Sequence, residues 1–179
     1  MVTLTDIDII QLLRKNNLNQ DTLQEDVVRK LRETGLRVAT AESCTGGLIS
    51  ERITRVSGSS EVFDCGVCSY ANAIKSKVLG VSEETLSILG AVSAETAIQM
   101  AEGVKKLSGA DIAVSTTGIA GPTGGTAEKP VGLVYTAIAT ADGTEVTRLM
   151  IDRPGADRDY IRNTAAETLL MNVLTMLRQ

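Results

Sequence analysis

Apolar residues in the first third of the chain change their spacing twice, and each change predicts an element. Ile7, Ile10, Leu12 and Leu13 recur at helical intervals over residues 5–16 and predict a short leading helix. Leu23, Val27, Val28 and Leu31 line one face of a stronger helix over 22–34, opened by the capping-box pair Thr22 and Glu25 and stopped by Gly35. The small and β-branched run 36–41 predicts a buried strand, and Leu48, Ile49, Ile53 and Val56 then return to helical spacing. Residues 42–47 are therefore a strand-to-helix turn.

The run 62–70 (V-F-D-C-G-V-C-S-Y), preceded by the turn S-G-S-S, predicts a second strand. Three helices follow: 71–79 ending at Gly80, a short one from Ser82 to Gly90, and a longer one capped by Ser93 and running to about Leu107, with Ile98, Ala101 and Val104 facing inward. Residues 111–116 predict a third strand, which enters a loop rich in Gly and Pro over 117–130. The segments 131–140 and 144–151 flank Asp142-Gly143 and read as an antiparallel hairpin. After a loop over 152–157, Ile161, Ala165, Leu169, Val173 and Leu177 mark a closing helix over 159–178. Helices alternating with strands predict an α/β fold, a three-layer α/β/α sandwich on a mixed, mostly parallel sheet with one antiparallel hairpin.

A length of 179 residues suits one domain, with 1–19 as a helical leader and 20–179 as its body. Lys and Arg number 18 against 22 Asp and Glu, and the only aromatics are Phe63, Tyr70, Tyr135 and Tyr160. That balance argues against a nucleic-acid surface. No apolar run is long enough to span a bilayer, and no basic segment leads into an apolar one at the N-terminus, so no membrane partner and a soluble, cytoplasmic protein are expected. The absence of histidine changes the picture most. It removes Ser-His and Cys-His dyads and every His-ligated metal site, leaving Lys, Asp, Glu, Tyr or a thiolate as a general base. Neither metal nor cofactor is expected. Cys44, Cys65 and Cys68 are odd in number, which speaks against a disulfide framework.

Ligands of open α/β sheets bind beyond the carboxyl ends of the strands. Here the first strand ends at Ser43, the second at Tyr70 followed by Asn72 and Lys75, and the third at Thr116, Thr117 and Gly118. Parallel neighbours would bring all of these to one edge. Around Ser43 the turn T-A-E-S-C-T-G-G opens a helix whose first amides and dipole favour an anion, with Thr45 and Gly46 as backbone donors. Helix capping by Ser43 and Thr45 accounts for the same residues equally well. Lys75 is the candidate base, provided that desolvation or a neighbouring positive charge keeps its amine neutral; an ordinary solvated helix lysine is the alternative. Cys44 is a rival nucleophile. Cys65 and Cys68 should point to opposite faces of a strand, as buried small hydrophobes rather than a redox or zinc pair. The loop 117–130 has no G-K-[ST], and no G-x-G-x-x-G follows a strand, but its backbone could wrap a phosphate, with Arg153, Arg158 and Arg162 nearby as a clamp.

Taken together, T-A-E-S-C-T-G-G at 40–47, S-G-S-S at 57–60, Y-A-N-A-I-K at 70–75, G-A-V-S at 90–93 and T-G-I-A-G-P-T-G-G at 117–125 closely resemble the CinA C-terminal domain family over residues 20–178. The resemblance implies an α/β/α sandwich, a homo-oligomer, and the stand-alone deamidase form of the family, acting on nicotinamide mononucleotide. It further implies Ser43 as nucleophile and Lys75 as base, with Tyr70 and Thr117 beside them. Thr45 and Gly46 match the backbone-donor turn, and Asn72, Gly118, Arg158 and Arg162 lie where the substrate would bind. The expected Gly-Asp-Arg occurs as Gly155-Ala156-Asp157-Arg158, one residue longer. A nucleotide-binding module of the same fold without activity is the alternative.

Overall fold

Gly35 ends α2 (Leu23–Thr34) in the left-handed conformation, φ 70°, that a residue without Cβ adopts freely, and the chain turns directly into β2 (Val38–Glu42). In the computed structural model, which describes residues 1–178, β2 is buried along its whole length. It lies between β3 (Phe63–Cys68) and β4 (Ile112–Gly118), parallel to both. Beyond β4 come β5 (Leu133–Ala139), β6 (Thr144–Met150) and β1 (Val2–Thr5), giving the order β1-β6-β5-β4-β2-β3. The hairpin at Asp142-Gly143 joins β5 to β6 as expected, and β4–β5 is a second antiparallel pair; the other three pairings are parallel.

Alternation along the strands sorts the two faces. Ala39, Ala41, Ala113, Ala137 and Ala139 face α6 (Ala94–Ser108), and their small side chains leave room for its Ala97, Met100, Ala101 and Val104. α4 (Asn72–Leu79) and α5 (Glu83–Ile88) pack beside α6. Val38, Ile112, Val114, Val134 and Ile138 face the opposite layer, built from α1 (Asp6–Lys15), α2, α3 (Leu48–Thr54) and α7 (Arg158–Met176). Ser82 and Ser93 cap α5 and α6 as predicted, accepting from the amides of Thr85 and Thr96.

Four local readings change. The leader is not purely helical, because Val2–Thr5 adds an edge strand along β6. On α1 it is Ile9 and Leu13, four residues apart, that enter the core, while Ile7 and Ile10 are exposed. Thr22 makes no capping bond, since its ψ of 4° is not the extended backbone a cap requires; the capping box sits instead at Thr5 and Asp8. The buried stripe of α6 runs through Ala97 rather than Ile98, which is half-buried. Among the described residues no helix is long and apolar enough to cross a membrane.

Candidate active site

The parallel register Glu42↔Thr116 and Glu42↔Cys68 continues one step beyond β2, where the Ser43 amide donates to the Thr116 carbonyl at 3.0 Å and the Ser69 amide to the Glu42 carbonyl at 2.9 Å. Strand alternation therefore sends Glu42 toward α3 and Ser43 toward α4. There Lys75 meets it. The Lys75 Nζ lies 3.0 Å from Ser43 Oγ, 2.6 Å from the Ser69 carbonyl oxygen and 3.4 Å from that of Tyr70.

Lys75 is 0% exposed and has no carboxylate partner among the described residues. Its pKa lies below the ordinary lysine value because burial removes the water that would solvate an ammonium. Only a thiolate at Cys44 would oppose this shift, and burial pushes the Cys44 thiol up to about 12, so at neutral pH that charge does not form. A neutral amine has two N–H donors and one lone pair. In that neutral form the amine would give its N–H groups to the two carbonyls and leave its lone pair for the Ser43 hydroxyl, whereas an ammonium donates to Ser43 Oγ. The neutral arrangement can take a proton from the serine.

Glu42, which the sequence reading passed over, organises the turn itself. Its fully buried carboxylate accepts from the amides of Gly47 (3.0 Å), Ile49 (3.1 Å) and Ser50 (2.8 Å) and from the Ser50 hydroxyl (2.7 Å). Ser50 Oγ is in turn 2.7 Å from Thr40 Oγ1. The start of α3, expected to be open to an external anion, is thus filled by the protein's own carboxylate. The sequence carried a signal, an acidic residue just ahead of a helix start. Gly46 is also committed, donating to the Ser43 carbonyl at 3.1 Å, whereas the Thr45 amide donates to no protein oxygen among the described residues. Gly47, at φ 97°, needs both its conformation and its missing Cβ, which would sit 3.2 Å from Cys68 Sγ.

The remaining candidates gather around this pair in different ways. Tyr70 is 65% exposed, and its hydroxyl accepts from Arg158 at 2.9 Å while its carbonyl faces Lys75. Arg158 also donates to the Gly121 carbonyl (2.7 Å), tying α7 to the Gly-rich loop. Arg162 donates to the Thr45 carbonyl (2.8 Å), and Thr45 Oγ1 pairs with Thr116 Oγ1 at 2.7 Å. Thr117 shares the sheet face of Ser43 but is buried, its hydroxyl donating to the Ala91 carbonyl at 2.6 Å. Gly118 answers a packing need, since a Cβ there would lie 2.7 Å from the Leu133 carbonyl oxygen. Asn72 opens α4 and is exposed, its side chain making no hydrogen bond among the described residues. Cys65 and Cys68 point to opposite faces as expected, but Cys65 is only partly covered and Cys68 is exposed, so neither is a buried hydrophobe. Among the described residues no group of acidic and cysteine side chains could hold a metal ion.

Fold and site together define a three-layer α/β protein with a buried Ser-Lys pair at the carboxyl edge of its sheet. Comparison with known proteins narrows this further. The chain belongs to the CinA C-terminal domain family, whose model matches residues 20–177. A CinA-like protein of Kosmotoga olearia is 54% identical over 149 residues, which is 83% of this chain and 35% of that protein. The chain thus spans about a third of the length of the curated relatives it matches. Among solved structures, a competence/damage inducible protein from Agrobacterium tumefaciens superposes with a TM-score of 0.84 at 43% identity, covering 89% of this chain and 96% of that one. A competence damage-inducible protein A from Klebsiella pneumoniae gives 0.85 at 33% identity, covering 90% and 98%.

Proposed function

We propose that this protein hydrolyses the carboxamide of a pyridine nucleotide, converting nicotinamide mononucleotide to nicotinate mononucleotide and ammonia. One observation carries the reading: a fully buried lysine, with no carboxylate partner among the described residues and its Nζ 3.0 Å from a serine hydroxyl. A lysine used for solubility would not be buried, and one used in an ion pair would have a partner. Acyl transfer uses what remains.

Ser43 Oγ attacks the carboxamide carbon as its proton passes to Lys75 Nζ. The oxyanion is held by the Thr45 amide, which donates to no protein oxygen among the described residues. Lys75 returns the proton to the leaving nitrogen, the C–N bond breaks, and ammonia departs from a Ser43 ester. Water then attacks that ester, again giving its proton to Lys75, and the carboxylic acid and free serine are released. Arg158 and Arg162, on the first turns of α7 and bonded to Tyr70 and Thr45, would meet the nucleotide's phosphate.

The test is ammonia release from nicotinamide mononucleotide in excess chelator, with Ser43→Ala and Cys44→Ala alongside the parent. Loss in the serine variant alone is the expected result. An inactive parent that still binds the nucleotide would instead favour a binding module, and loss in the cysteine variant alone a thiol enzyme.

A further inference from the structure

Residues 1–19 lie outside the region matched by the family model, yet they reach the functional edge of the sheet through one side chain. β1 runs parallel to β6 with Thr5 opposite Met150, which carries Asp6 to the start of the 152–157 loop. Asp6 is buried, and its carboxylate is fully used there. Oδ2 accepts from the amides of Asp152 (2.7 Å) and Arg153 (3.0 Å), and Oδ1 from the Tyr160 hydroxyl (2.8 Å). The Arg153 guanidinium lies 5.1 Å from the centre of the Tyr160 ring, and Asp157 caps α7 by accepting from the Tyr160 amide at 2.7 Å. Tyr160 sits between Arg158 and Arg162. The same two helical turns are thus held from below by Asp6 and, from above, by the bonds of Arg158 to Gly121 and Tyr70 and of Arg162 to Thr45. Ile9 and Leu13 anchor the leader in the main core, so the clip is rigid at its base.

We infer that Asp6 is a positioning residue for anion binding: through the 152–157 backbone and Tyr160 it sets the aim of Arg158 and Arg162 at the substrate's phosphate. The inference rests on the proposed function, which supplies the substrate and its phosphate. Three loose donors would otherwise let the start of α7 shift, and two arginines engaging one phosphate need their spacing held.

Asp6→Ala removes all three acceptor contacts. Asp6→Asn is the conservative rescue, since its amide oxygen can accept both backbone N–H groups while its NH2 donates to the Tyr160 oxygen. Thr5→Ala loosens the α1 cap but leaves Asp6 in place, and serves as the control for a leader that is merely less stable. Titration of 15N-labelled protein with inorganic phosphate, read at the arginine Nε–H signals, gives the affinity directly. Weakening of about tenfold in Asp6→Ala, with Asp6→Asn and Thr5→Ala close to the parent, is expected. Under the proposed function, KM for the nucleotide rises by the same factor at unchanged kcat, while the phosphate-free nucleoside is unaffected. Equal phosphate affinity in Asp6→Ala and parent, a parent that binds no phosphate, or equal weakening in Thr5→Ala would each overturn the inference. If no amide is hydrolysed yet the phosphate pattern holds, the proposed function fails and the positioning role stands.

Discussion

Gly103 lies within α6, where helix propensity alone says that alanine should stabilise by about 1 kcal/mol. The packing says the reverse. A Cβ at this position would fall 1.9 Å from the carbonyl oxygen of Leu79 and 2.7 Å from its carbonyl carbon. Leu79 is the last residue of α4, the helix that carries Lys75. Even a tight contact of 3.0 Å requires the two helices to separate by about 1.1 Å. Overpacking of this kind costs about 1–3 kcal/mol, occasionally more, and outweighs the propensity gain. At the upper end of that range the net loss, about 2 kcal/mol after the propensity gain, lowers Tm by roughly 4–8 °C in a chain of this size. The displacement also bears on the Lys75–Ser43 contact, which at 3.0 Å has little slack before the hydrogen bond is lost. Misplacement by about 1 Å costs on the order of 100-fold in rate, so Gly103→Ala should lose amidase activity together with stability. Calorimetry and the ammonia assay read the two effects separately. A variant with a Tm at or above the parent's would refute the packing argument, and a destabilised variant with full activity would refute the coupling of α4 to the site.

Lys75→Met should abolish turnover without unfolding the protein. Because the lysine's pKa falls on folding, the unfolded chain binds more protons between the folded value and the ordinary 10.5, so parent stability rises with pH across that window and carries the full desolvation cost below it. Denaturant titrations at several pH values should show this slope in the parent and not in Lys75→Met; its persistence in the variant would assign it elsewhere. Cys44, buried and with its pKa near 12, should stay unmodified by iodoacetamide at pH 8 while exposed Cys68 is labelled, and peptide mass spectrometry of the native protein checks the order. Ser93→Ala should cost about 1 kcal/mol as the loss of a working cap, whereas Thr22→Ala should fall within about 0.5 kcal/mol by chemical denaturation.

Local signals read well from the chain, and non-local ones did not. Gly35, Ser82, Ser93 and Asp142-Gly143 each act within a few residues, and each ends, opens or reverses an element as their chemistry predicts. Val2–Thr5 is too short to show a period and becomes a strand only because the edge of β6 is there to pair with. Thr22 has the right side chain on a backbone that is not the extended one a cap requires, which residue type alone does not show. The Ser43–Lys75 pair could be singled out because histidine is missing and the family motifs align. That two carbonyls would fix the lysine's donors depends on the path of the chain from β3 into α4, and Glu42, an acidic residue just ahead of a helix start, carried a signal that was passed over. Thr117 and Gly118 stand at the expected edge, and their contacts there are to Ala91 and to β5.

Because Glu42 already occupies the positive end of α3, burial is what lowers the Lys75 pKa. Under the proposed function, activity is therefore sensitive to hydration of that amine. Any change that lets water reach Nζ, a void opened in α6 or a shortened side chain under α4, would move the lysine's pKa back toward its ordinary value and favour the ammonium with every reacting atom still in position. Variants of this class would look inactive by assay and intact by crystallography, and raising the pH would bring them back.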